Sequence, residues 1–265
     1  MKINDQFKAL SDPVSLDAVL VNADGSSQEK PSVVVREHLL SVFINEQSAM
    51  ELVCCPDHLV ELVLGRLVTE GIVTSQEDID FVYLCDQGLR CRVFLTDSSV
   101  SMENATETVP SCCTGNRVFL RSPKAELQKR KPYSWKAEWI TTLAKVFAEG
   151  TPLHEQTHGT HSCMLAQADK PLYCFEDLGR HNALDKTVGT AFRDGVDLHE
   201  TILYTSGRIP VDMMQKVIRA GVPVVVSNAA PTDKAVALAE EYGVTLICRA
   251  RPGHFLVFTG MEYRV

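Results

Sequence analysis

Apolar and polar positions along the chain fall into two stretches of different rhythm. Between 33 and 44, VVVREHLLSVFI crowds β-branched residues at both ends and predicts strand. Asp57, after Pro56, stands where a helix N-cap belongs, and Leu59, Leu62, Val63 and Leu67 recur at helical spacing in HLVELVLGRLVTEG up to Gly71. Two more strands are predicted, around Phe81 to Leu84 and Leu89 to Leu95, before a polar, turn-rich stretch from 97 to 110.

A charged, proline-containing segment, RSPKAELQKRKPYS at 121–134, marks the predicted boundary. It separates a smaller N-terminal β-rich α+β domain, residues 1–130, from a C-terminal layered α/β domain, residues 131–265. Lys129, Arg130 and Lys131 read as a solvated face. The helix that follows, WKAEWITTLAKVFAEG, is predicted to bury Trp135, Trp139, Leu143 and Phe147 on one stripe and to stop at Gly150. Beyond it, strands YCFE, TILYTS, VPVVVS, VTLICRA and LVFTG alternate with helices from about His181 to Phe192, PVDMMQKVIRAG and TDKAVALAEEYG. That order predicts a largely parallel sheet, with VPVVVS buried on both faces.

Charge changes the picture of possible partners. The chain has 26 Lys and Arg against 34 Asp and Glu, a formal charge of −8, so a nucleic acid backbone is repelled by the average surface. An anionic ligand must be met by a local cluster of cations. No apolar run reaches bilayer length, and MKINDQFKALSDPVSLD lacks a signal-peptide core, so no membrane insertion and a cytoplasmic location are expected.

Nine cysteines, an odd count, argue against a disulfide framework. Cys91 and Cys174 lie in strand-like runs and read as small buried hydrophobes, while Cys54 and Cys55 read as packing beneath the first helix. Cys112 and Cys113 follow the polar stretch, where reactive groups tend to lie.

In an α/β sheet, ligands bind beyond the carboxyl ends of the strands. There the sequence places EDLGRHNALDK, SGRIP, NAAPTD and RARPGHF, three of them leading into helix N-termini that favour an anion. Arg180, Arg208, Arg249 and Arg251 supply positive charge in a form suited to bidentate phosphate recognition. Asp177 reads equally as an N-cap, and Asp185 and Lys186 as solvated helix residues. There is no G-x-x-x-x-G-K-[ST], no G-x-G-x-x-G, and no H-x-E of the zinc deaminases. THGTHSC, with His158, His161 and Cys163, lacks a well-spaced fourth metal ligand and reads more readily as a polar loop.

EDLGRHNALDKTVG resembles the signature of the formate dehydrogenase accessory protein family, FdhD, a group of sulfurtransferases. PDHLVELVLGRLVTEGIV, THGTHSCMLA and the run from TSGRIPVDMM to LVFTG extend the resemblance from about Val33 to Thr259. It implies a C-terminal domain similar to the cytidine deaminase architecture without its zinc, and no permanent metal. It also implies a sulfur carrier, which takes sulfane sulfur from a cysteine desulfurase as a cysteine persulfide. The sulfur then passes to the bis-molybdopterin guanine dinucleotide cofactor required by formate dehydrogenase. By analogy with the family the chain is expected to form a homodimer.

The family's sulfur loop reads S-C-x-x-C-G, and here the stretch is Ser111, Cys112, Cys113, Thr114, Gly115, Asn116. Cys112 matches the first cysteine, Gly115 stands where the second is expected, and Cys113 is an addition. A disulfide between the neighbours is disfavoured, because their Cα atoms lie only about 3.8 Å apart. The resemblance thus implies Cys112 as carrier with Cys113 beside it. It places cofactor contacts at Arg180, His181, Ser206, Gly207, Arg208, Arg249, Arg251, Gly253 and His254, and gives accessory roles to His161, Glu176 and Asp177. The alternative is a non-catalytic chaperone that binds the molybdenum cofactor.

Overall fold

Two large sheets with helices packed on them, and two small two-stranded ones, make up the computed structural model, which describes residues 1–5, 7, 13–98 and 127–265. Cys112 and Cys113 lie outside the described residues. The chain opens with β1 (Lys2–Asp5) and a long hairpin arm, β2 (Val14–Leu16), β3 (Val19–Val21), β4 (Ser27–Glu29) and β5 (Ser32–Val34). Then come β6 (His38–Ile44), β7 (Gln47–Cys54), α1 (Leu59–Thr69), β8 (Ile79–Cys85) and β9 (Arg90–Leu95). β1, β8, β9, β6 and β7 form one sheet in that order. The single strand predicted over 33–44 is therefore two: Val34 pairs with Val14 in the arm, and Ser41 pairs with Arg90 in the sheet.

From residue 127 on come α2 (Ala137–Ala148), α3 (Pro152–Thr157), β10 (His161–Gln167), β11 (Lys170–Asp177) and α4 (Arg180–Asp194). β12 (Ile202–Thr205), α5 (Val211–Ala220), β13 (Val224–Ser227), α6 (Asp233–Tyr242), β14 (Thr245–Arg251) and β15 (His254–Thr259) complete the chain. The second sheet has the order β11-β10-β12-β13-β14-β15. Only β12, β13 and β14 run parallel, so the sheet is mixed rather than largely parallel. The cause is local: turns at 168–169 and 252–253 make hairpins of its outer strands, and a tight turn can join only antiparallel neighbours. β13 is buried at every position, as VPVVVS predicts.

Four expectations are corrected by packing. THGTHSC is not a polar loop, since His161 opens β10 and Cys163 is fully buried within it. Trp135 precedes α2 instead of riding on it, and its indole N–H donates to the Gly260 carbonyl at 2.9 Å, while Ile140, Leu143 and Ala144 form the helix's buried stripe. Arg130 is not part of a solvated face; it is half-buried, with its backbone N–H on the Tyr242 carbonyl at 2.7 Å. Asp57 caps nothing. The N-cap is His58, in left-handed backbone at φ 49, and the Asp57 carboxylate pairs instead with Lys186.

α1 is buried on all sides because it is sandwiched between its own sheet and α4. The helices touch through glycines: a Cβ on Gly65 would lie 1.7 Å from the Asp185 carbonyl, and one on Gly189 1.8 Å from that of Glu61. One hydrophobic cluster thus runs from β6 through α1 into α4, α5 and α6, and a second, with Trp135, fills the space between α2 and the other face of the mixed sheet. Asp185 and Lys186, expected in solvent, are fully buried at the α1–α4 contact. Lys216 Nζ reaches both Asp185 carboxylate oxygens at 2.9 and 2.8 Å and Thr69 Oγ1 at 2.8 Å. Lys186 meets Asp177 at 2.8 Å as well as Asp57. Burial opposes the Lys186 charge, but Asp177 and Asp57 outweigh it and raise its pKa above the usual lysine value.

Candidate functional site

The carboxyl ends of β12, β13 and β14 open onto one edge of the mixed sheet. β10 starts there and β11 ends there, since Cys163 faces Thr205 and His161 faces Asp177 in register. Most residues singled out in the sequence are thereby brought to this edge. Ser206 is pinned by reciprocal bonds: its Oγ accepts the Ser162 N–H at 3.0 Å, and its own N–H donates to the Ser162 carbonyl at 3.0 Å. His161 Nδ1 lies 3.1 Å from the same Oγ. Gly207 is held by Ser227 Oγ–H on its carbonyl at 2.7 Å, and a Cβ there would fall 2.7 Å from the Arg180 Cβ. Only glycine lets this turn lie over Arg180.

Arg180 and His181 start α4 and are both buried. His181 Nε2 sits 2.9 Å from Asp212 at the start of α5, tying two helix N-termini together. Burial works against the Asp212 charge. The His181 hydrogen bond, with the charges of His181 and Arg180, reverses that and leaves the carboxyl below its ordinary value. His161 is pushed down too, first by burial and then by the charges of Arg180, His154, His181 and Arg208. Burial and the neighbouring arginines thus favour its neutral form.

A cavity of about 310 Å³ opens beside these strand ends, lined by Thr151, His154, Ser162, Ser206, Asn228 and Arg251. Phe147 of α2, packed 4.4 Å from the Tyr204 ring, gives it an apolar wall. Arg251 donates to the carbonyls of Asn228 and Ala250 at 2.7 and 2.9 Å. Arg208, Arg249 and Arg251 are exposed, and among the described residues none of the three meets a carboxylate. Arg249 holds left-handed backbone at φ 51. Gly253 and His254 form the exposed turn and strand start beyond Arg251, outside the cavity wall.

Glu176 and Asp177 hold structure in place. The Glu176 carboxylate accepts from Thr151 Oγ1 at 2.6 Å, Thr160 Oγ1 at 3.1 Å, and the N–H groups of Leu153 and His154 at 3.0 and 2.7 Å. It thereby supplies α3 with the cap its own sequence lacks. Asp177 accepts from the Cys55 N–H at 3.1 Å and from Asn182 at 2.8 Å beside Lys186. Sequence reasoning missed Thr151 and His154, because α3 is too short to show a period; Pro152 just after Thr151 was the one signal.

Six of the seven described thiols, all but Cys85, are poor nucleophiles. Cys54, Cys91 and Cys163 are pushed far up by burial. Cys55 and Cys248 are each pushed up to about 12, again by burial first. Cys174 stands at the sheet edge, exposed where the sequence predicts it buried; desolvation and then Glu176 take it to about 11. No group of three or more metal-binding side chains occurs among the described residues.

Three exposed strand-end arginines that meet no carboxylate among the described residues, one of them, Arg251, in the wall of a polar cavity, define an α/β protein with an edge suited to an anionic ligand. Residues 35–265 match the model of the FdhD/NarQ family, and the chain belongs to that family. It is 31% identical to the sulfur carrier protein FdhD of Listeria innocua, covering 90% of this chain and 94% of the relative. It is 32% identical to that of Bacillus subtilis, covering 86% and 89%. The fold matches the crystal structure of a protein from Desulfotalea psychrophila described as a formate dehydrogenase accessory protein, with a TM-score of 0.79 at 26% identity over 96% of this chain and 100% of that one.

Proposed function

We propose that the protein is a sulfur carrier that accepts persulfide sulfur from a cysteine desulfurase and delivers it to bis-molybdopterin guanine dinucleotide for formate dehydrogenase. The observation that carries this reading is the set of strand-end arginines, Arg208, Arg249 and Arg251, which meet no carboxylate among the described residues. The names of the relatives agree with it. A volume of about 310 Å³ suits one nucleotide end of that substrate, leaving the rest outside. Ser206, Asn228, Arg208 and Arg251 would hold its phosphates, with Arg180 and His181 at the α4 N-terminus adding positive charge.

The raised thiols at 54, 55, 91, 163, 174 and 248 favour Cys112 as the sulfur-bearing residue. In loading, the Cys112 thiolate attacks the outer sulfur of the donor's persulfide. A new S–S bond forms, the donor's S–S bond breaks, and the donor cysteine leaves as thiolate. In a host lacking its own carrier, the wild-type chain is expected to restore formate dehydrogenase activity and Cys112→Ala to fail. Full restoration by Cys112→Ala would favour a chaperone that transfers no sulfur.

A further inference from the structure

His154 lies in the wall of the 310 Å³ cavity on the short helix α3. Its backbone is fixed by the bond from its N–H to Glu176 at 2.7 Å. Its ring is fixed by Nδ1, 2.8 Å from the Thr160 carbonyl, and by the His158 ring, 5.6 Å away at 88°. A carbonyl can only accept, so Nδ1 carries a hydrogen, and in the neutral tautomer this leaves Nε2 as a bare acceptor. Among the described residues Nε2 has no partner. An unpartnered ring nitrogen thus shares the cavity wall with Ser206, Asn228 and Arg251, all able to donate to an anion.

We propose that His154 contacts a phosphate of the bound nucleotide through Nε2, taking up a proton as the ligand binds; this rests on the reading of the cavity as the phosphate site. Protonation turns Nε2 into a charged donor, so phosphate and proton each favour binding of the other. The ring's affinity for a proton is then higher in the complex. Ligand affinity is greatest below the free imidazole's titration range and falls as pH rises through that of the complex.

The groups facing His154 limit what else could titrate. From its own helix comes Glu155 and from just past its end His158; from β11 comes Glu176, already committed to four donors; from β10 comes His161; from β14 comes Arg251. β5, which packs against α3, and the cavity-lining residues of α2 carry no ionisable side chain. His161 is pushed below its ordinary value, first by burial and then by charges that include Arg180, which leaves His154 and His158 as the histidines to be told apart.

The test is calorimetric titration of the full chain with diguanosine diphosphate, whose pyrophosphate bridge has no terminal group and keeps its charge near neutrality. Two non-phosphate buffers of unlike ionisation enthalpy report proton uptake directly. The wild type and His158→Gln should bind about tenfold more tightly at about pH 5.5 than at about pH 8.5, with net proton uptake near neutrality. His154→Gln should bind like the wild type at the higher pH, with the slope and the uptake gone. A slope that survives in His154→Gln overturns the role of His154 alone. Absence of wild-type binding at every pH overturns the phosphate-site reading and this inference with it.

Discussion

Two regions of the molecule use the same residue types to opposite ends. At the α1–α4–α5 junction each buried cation meets carboxylates: Lys186 with Asp57 and Asp177, Lys216 with Asp185 and Glu70, Arg66 with Glu70 and Asp185. At the strand ends Arg208, Arg249 and Arg251 are exposed and, among the described residues, meet none. A buried charge without a partner costs too much to keep, so pairing marks the junction as architecture. An exposed arginine keeps its donors at little cost, and several along one sheet edge leave them ready for a ligand. Charge alone therefore does not mark the site.

Mutation should separate the regions most sharply at Lys186. Lys186→Met leaves Asp177 buried without its cation and should cost about 3–5 kcal/mol in chemical denaturation. A loss under about 1 kcal/mol would mean that water reaches the pair and that the junction resembles the rim. Gly65→Ala, which drives a methyl into the Asp185 carbonyl, should follow at about 3 kcal/mol as α1 is forced off α4. Arg251→Ala should do the reverse, changing stability by no more than about 0.5 kcal/mol while weakening binding of a guanine dinucleotide about tenfold or more.

The smallest effect is expected where the regions meet, at the His181–Asp212 pair. The folded carboxyl of Asp212 lies below its ordinary value of 3.8, so its contribution is present above that pH and is lost as pH falls through the lower folded value. Asp212→Asn should cost about 1 kcal/mol near neutrality and flatten the acid limb of the stability curve. An unchanged acid limb would remove Asp212 from the account of acid sensitivity.

Much of the edge that forms the site was legible in the sequence. Long periodic segments such as RHNALDKTVGTAF and the buried VPVVVS fixed strand and helix alternation, and the strand-end rule then placed SGRIP and the β14 arginines. Asp185 and Lys186 were misread because a charged helix residue looks solvated until its cover is known, and that cover is α1, more than a hundred residues earlier. Gly65 and Gly189 carried the contact, but neither glycine signals a partner by itself. His154 was missed because the cap of α3 is Glu176, donated from another strand, which no local pattern can reveal.

The most direct test of sulfur carriage is intact-protein mass spectrometry after incubation with an active cysteine desulfurase and cysteine. The account predicts a gain of about 32 Da on the wild type and on Cys113→Ala, absent from Cys112→Ala. No gain on the wild type, with the desulfurase shown active on another acceptor, would contradict it, as would a gain that persists in Cys112→Ala.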